Sequence, residues 1–128
     1  MKCPANIVGG LLGLLFTVFG LNFFLKFIPM PPGPPEGSPP ALFFAILYPT
    51  GYLAFVKCLE ILGGVLVAIP KTRNFGLLVL GPIIINILAF HVFLTKGAGF
   101  ADPVVSLIAI LPLFLLWTSR KAFAGLLN

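Results

Sequence analysis

Apolar positions fill this chain in long runs that neither alternate with polar ones nor leave a polar face. Four such runs extend from Asn6 to Ile28, Tyr52 to Ile69, Phe75 to Thr95 and Pro103 to Thr118. Runs near the roughly 20 residues that cross a bilayer, apolar all round and rich in Leu and Ile, predict membrane-spanning helices. A spanning barrel would need alternating polarity. The pattern therefore predicts an all-α fold, a four-helix transmembrane bundle in which residues 1–128 form a single integral membrane domain. Pro4 and Asn6 suit the first helix start, Pro70 stops the second run, and Asp102 with Pro103 forms an N-cap and first helical residue for the fourth. Pro82 and Pro112 lie inside runs, where a missing N–H predicts bends.

The segment Pro29–Pro40, PMPPGPPEGSPP, holds seven of the thirteen prolines and predicts a stiff connection outside the hydrocarbon. Ala41–Pro49 would reach only about 13 Å as a helix, which suits a short interfacial or re-entrant helix. One long bent helix from Pro40 to Ile69 is the alternative. The brief turn Lys71-Thr72-Arg73-Asn74 makes the second and third spans antiparallel neighbours. Gly9 and Gly13 form a G-x-x-x-G pair with Gly20 one heptad beyond, a stripe that allows close helix approach either within the chain or in a homodimer. The first run resembles a signal peptide, but no A-x-A-like cleavage site follows it, which predicts an uncleaved span.

Composition strengthens the membrane reading. Hydrophobic residues make up 59% of the chain and charged ones 9%, against about 25% charged in soluble domains. The net charge of +5 comes from few residues, mostly at run ends. That placement fits anchoring to the lipid bilayer and excludes nucleic acid as a partner. Lys2, Lys71, Arg73, Arg120 and Lys121 share the side of the termini, while Lys26 and Lys96 on the other side are offset by Glu36 and Asp102. The positive-inside rule then places both termini in the cytoplasm. Cys3 and Cys58 lie far apart with no C-x-x-C, which predicts two unpaired thiols. One histidine and no acid cluster provide no metal or haem ligand set and no intrinsic cofactor.

Six polar side chains interrupt the runs, where a charge at the bilayer centre costs about 2.5–3.5 kcal/mol on insertion scales. At about 1.5 Å per residue, Asn22, Lys26, Lys57, Glu60, Asn86 and His91 all fall in the outer half of the bundle and leave the inner half almost wholly apolar. Asn22 and Lys26 share a face, as do Lys57 and Glu60. Asn86 and His91 are about 140° apart around an ideal helix, so they converge only if the Pro82 region distorts it. Glu60 is the only acid within a span. With two lysines beside it, a pocket formed by these residues would be net positive and could hold an anion or hydrogen-bond a quinone carbonyl, with His91 moving a proton. The structural readings stand beside this one. Lys57–Glu60 would pin helix rotation, Lys26 would snorkel, His91 would meet a backbone carbonyl, and Asn86 would join helices.

At these residues the chain resembles the DoxX-like family of small four-span bacterial membrane proteins. The matching stretches are Gly20-Leu21-Asn22 with Phe27-Ile28-Pro29-Met30-Pro31-Pro32, then Leu59-Glu60-Ile61-Leu62-Gly63-Gly64, then Pro82 through Asn86 to Phe90-His91. The resemblance spans roughly Ile7 to Trp117. It implies a four-helix bundle in the bacterial inner membrane with a short helix after the first span. It also implies a link to redox chemistry, since the name-giving relatives accompany a thiosulfate:quinone oxidoreductase. The expectation is a redox-associated accessory subunit with a quinone or sulfur oxyanion in the outer pocket and electron carriers on a partner protein. A non-enzymatic scaffold is the alternative, with a small-solute permease behind it.

Overall fold

The computed structural model describes residues 2–29, 33–97 and 102–127. Met30, Pro31 and Pro32 of the matching stretch, and 98–101 of the loop before the last long helix, lie outside the described residues. The described residues form helices joined by loops and carry no strand. Its long helices are α1 (Lys2–Leu25), α3 (Tyr52–Ala68), α4 (Arg73–Ala89) and α5 (Pro103–Thr118), with short helices α2 (Pro39–Leu47) and α6 (Arg120–Ala124). Two stretches, Cys3–Leu25 and Pro70–Leu94, are long and apolar enough to cross a membrane. The pair α2 and α3 qualifies as a third when taken as one span broken by an 87° bend. Helix α5 is apolar but shorter, at 16 residues.

The helix ends follow from local chemistry. Helix α1 starts at Lys2, upstream of the expected Asn6, because Pro4 falls in the first turn, where its missing N–H has no helical partner to lose. The same reasoning corrects the expected limit of the proline-rich connection, since Pro39 and Pro40 open α2. Ser38 caps them, accepting from the Ala41 N–H at 3.4 Å and donating to the Pro35 carbonyl at 2.6 Å. Helix α2 stops at Leu47, and Gly51 in the left-handed region (φ 82°) turns the corner into α3. At α5, Asp102 accepts from the Val104 N–H at 2.9 Å ahead of Pro103.

Glycine sets how closely the helices approach. Helices α1 and α3 run antiparallel with their backbones in contact. A Cβ on Gly13 would strike the Gly64 carbonyl and the Ala68 side chain, and one on Gly64 would lie 2.9 Å from the Gly13 carbonyl and 2.7 Å from Thr17 Oγ1. Gly20 faces Ile61 and Gly9 faces Arg73. The Gly9/Gly13 stripe is thus filled within the chain, and a homodimer through it would have to displace α3 and Arg73. Helix α4 packs against the other side of α3 through Gly63 on Leu80 and Gly76 on Val67. Leu12, Phe16, Val67, Leu77, Leu80, Ile83, Ile84 and Leu115 form the core between these helices.

Side chains added at the packed glycines overfill these contacts. Gly13→Leu and Gly64→Leu are expected to lower unfolding stability by about 1–3 kcal/mol. Gly10→Leu, at a position with open space around it, is expected to change it little. Thermal unfolding of the purified protein in one detergent makes the comparison.

Candidate functional site

Helix α3 carries the one ion pair among the described residues. Lys57 Nζ lies 3.5 Å from both carboxylate oxygens of Glu60, one helical turn on. The carboxylate is buried, with its side chain 7% exposed, whereas the Lys57 side chain is 25% exposed. Glu60 belongs to the same helix stripe as Gly63 and Val67, the residues that meet α4. The lysine reaches back from the rim toward a carboxylate held in the bundle.

The described contacts of the other four candidates are local to their own stretches of chain. Asn22 is buried, and its amide grips the backbone of Ile28. Oδ1 accepts from the Ile28 N–H at 2.8 Å and Nδ2 donates to the Ile28 carbonyl at 3.2 Å. This pair of hydrogen bonds fixes the chain as it leaves α1, where Lys26 adopts a left-handed conformation (φ 54°) and its side chain is exposed. Asn86 is exposed and donates to the Pro82 carbonyl at 2.9 Å, within its own helix. Helix α4 continues through Pro82, and the distortion falls later, as a π-helical turn over Phe90–Leu94. His91 sits in that turn. Its carbonyl accepts from Thr95 Oγ1 at 2.7 Å and from the Gly97 N–H at 2.6 Å, and its ring stands edge-on to Phe90 with centroids 5.2 Å apart.

The end of the bundle at the α3–α4 turn holds a buried charge. Arg73, read from the sequence as a turn residue and topology anchor, is buried at 8% exposure. Pro70 has no N–H for the Leu66 carbonyl, so the last turn of α3 needs other donors. Thr72 Oγ1 donates to that carbonyl at 2.8 Å, and Arg73 Nε donates to the Val67 carbonyl at 2.9 Å. Arg73 Nη1 then reaches Asn6 Oδ1 on α1 at 3.0 Å, and Gly9 leaves the space that the guanidinium fills. Asn6 is therefore the arginine's partner, not a helix cap. The sequence carried a usable signal, a proline at a helix end followed within three residues by side-chain donors.

Two cavities among the described residues stand out, and none of the six candidates lines either. One, of about 420 Å³ and mainly apolar, lies between the proline-rich connection and the π-helical turn, against Pro34, Pro40, Phe44, Phe90 and Leu94. Helix α2 closes on that turn through Phe43 and Phe44, whose rings lie 5.2 and 5.3 Å from Phe90. The other, of about 360 Å³, lies at the α5–α6 joint. Among the described residues no cluster of His, Cys, Asp and Glu could hold a metal, and Cys3 and Cys58 are both free.

No family model matches the chain. It is similar to a protein of Bacillus subtilis (strain 168) described as uncharacterized protein YwoB, at 32% identity over 75 residues. The match takes in 59% of this chain and 47% of that protein, so the chain matches about half the length of the relative. No solved structure matches.

Three substitutions test the local roles. Asn6→Ala strands the Arg73 Nη1 donor inside the bundle and is expected to cost about 1–3 kcal/mol. Lys57→Met leaves the Glu60 carboxylate uncompensated and is expected to destabilise the protein more than Lys57→Met combined with Glu60→Gln. Unfolding of the four proteins, wild type included, in one detergent measures both effects.

Proposed function

We propose that this chain is a four-span, DoxX-like protein of the bacterial cytoplasmic membrane, acting as a non-enzymatic accessory or assembly subunit. One observation carries the reading. The polar side chains within the spans are engaged by their own chain, Asn22 on Ile28, Asn86 on Pro82, Lys57 on Glu60 and Arg73 on Val67 and Asn6. Such contacts fix helix ends and rotation, and they leave the outer surface of the bundle apolar for lipid or a partner protein. The four apolar helices α1, α3, α4 and α5 supply the spans, α2 being the short helix at the membrane surface. Lys71, Arg120 and Lys121 at one end favour cytoplasmic termini.

A second reading, a redox-associated subunit with a quinone or sulfur-oxyanion site, draws on the Lys57–Glu60 pair. Its ammonium group is partly open beside a buried carboxylate. The electron carrier would belong to a redox partner protein. Titration of the purified protein with a short-chain quinone and with thiosulfate separates the two. The assembly role is expected to give no saturable binding and a loss of thermal stability in Glu60→Gln. Saturable binding abolished by Glu60→Gln at unchanged stability would establish the second reading in its place.

A further inference from the structure

The cavity at the α5–α6 joint has a lining that the roles above leave unused. It is bounded by Asn74 at the start of α4 and by Thr118, Ser119, Arg120, Lys121 and Ala122. Its volume of about 360 Å³ falls in the usual range for small-ligand sites, roughly 300–1,000 Å³. The lining contains two cations, two hydroxyls and a carboxamide, with no carboxylate. The chain has only three acids, and all lie elsewhere. Glu36 lies in the connection before α2, Glu60 lies within α3, and Asp102 caps the far end of α5, about 24 Å away along a 16-residue helix.

One of the two cations is held in place. Arg120 Nη1 donates to the Trp117 carbonyl at 2.8 Å, and its guanidinium lies 4.6 Å from the centre of the Trp117 ring. That stack sets the arginine at the rim with four further N–H donors. Lys121 is exposed, and Ser119 and Asn74 add a hydroxyl and an amide. Arg73, one residue before Asn74, adds a third positive charge whose hydrogen-bond partners, Asn6 and the Val67 carbonyl, are neutral. A concave site with positive charge, neutral donors and no acidic side chain in its lining favours a tetrahedral oxyanion. Basic pockets at helix ends on the cytoplasmic side of membrane proteins hold phospholipid headgroups on the same basis.

We propose that this cavity binds a phosphate-bearing anion, either the headgroup of an anionic phospholipid or free inorganic phosphate. The lipid source rests on the membrane reading above, and the free-phosphate source does not. Neither depends on the assembly role.

The test uses the full chain in a neutral detergent. Native mass spectrometry measures retention of phosphatidylglycerol against phosphatidylcholine, and a separate titration with inorganic phosphate follows thermal stability. The expected result is preferential retention of phosphatidylglycerol, or stabilisation by phosphate. The first arm alone assigns the headgroup and the second alone assigns the free ion. Lys121→Ala is expected to weaken the effect about fivefold, the loss of one cation near an anionic headgroup. Ser119→Ala, with the charge intact, is expected to weaken it by less. Lys71→Ala, at the same end but outside the cavity, is expected to leave it unchanged. Equal retention of both lipids with no phosphate effect would overturn the proposal. So would equal losses in Lys71→Ala and Lys121→Ala, which would mean diffuse surface charge.

Discussion

Everything in this bundle is hung on the backbone contact between α1 and α3. Lipid chains are as apolar as leucine, so helices in a membrane gain little from burying hydrophobic side chains against each other. Close packing and hydrogen bonds have to hold them. Gly13 and Gly64 let the two backbones touch, and Gly20 receives Ile61. At Gly9 the space goes to a side chain, because Arg73 enters it while donating to the Val67 carbonyl and to Asn6. The arginine thereby joins the end of α3, the start of α4 and the first turns of α1. Pro70 makes this necessary by leaving the α3 carbonyls short of a donor, and Thr72 and Arg73 supply what is missing.

The same economy governs the polar side chains farther out. A polar group in hydrocarbon is costly until it finds a partner, and the nearest partner is the backbone of its own helix end. Asn22 locks the exit from α1, and Asn86 covers the Pro82 carbonyl. Glu60 differs, since its partner is an ammonium group at the rim and its carboxylate stays within the bundle. The chain thus combines several small locks with one ion pair. Charge at the α5–α6 joint stands apart from this set, because no acidic side chain lines that cavity.

The all-helical character was legible in the sequence because lipid leaves few ways to satisfy a backbone, and apolar runs of this length have one common solution. Asp102-Pro103 announced the start of α5 through local chemistry alone. The contacts of the polar side chains were less legible. Whether Asn86 faces a neighbour or the outside depends on helix rotation, and that is set by Gly63 and Gly76 against α4, contacts that no single helix reveals. Arg73 was misread for a related reason. Basic residues in turns commonly mark topology, and only the notch at Gly9, 64 residues earlier in the chain, gives this one a buried destination. The π-helical turn at Phe90–Leu94 has no obvious marker in its sequence, FHVFL, and it moved the distortion away from Pro82, where the missing N–H had placed it.

The dependence of α1 on Arg73 can be measured directly by a double-mutant cycle on Gly9 and Arg73, with unfolding free energy followed in one detergent. Gly9→Ala is expected to destabilise the native chain, because the new methyl group meets the guanidinium, and to cost far less when Arg73→Ser has emptied the space. The coupling should be about 1 kcal/mol or more, within the range seen for residues in contact. If Gly9→Ala cost the same in both backgrounds, the arginine would not occupy the glycine notch, and this view of how the bundle is held together would be wrong.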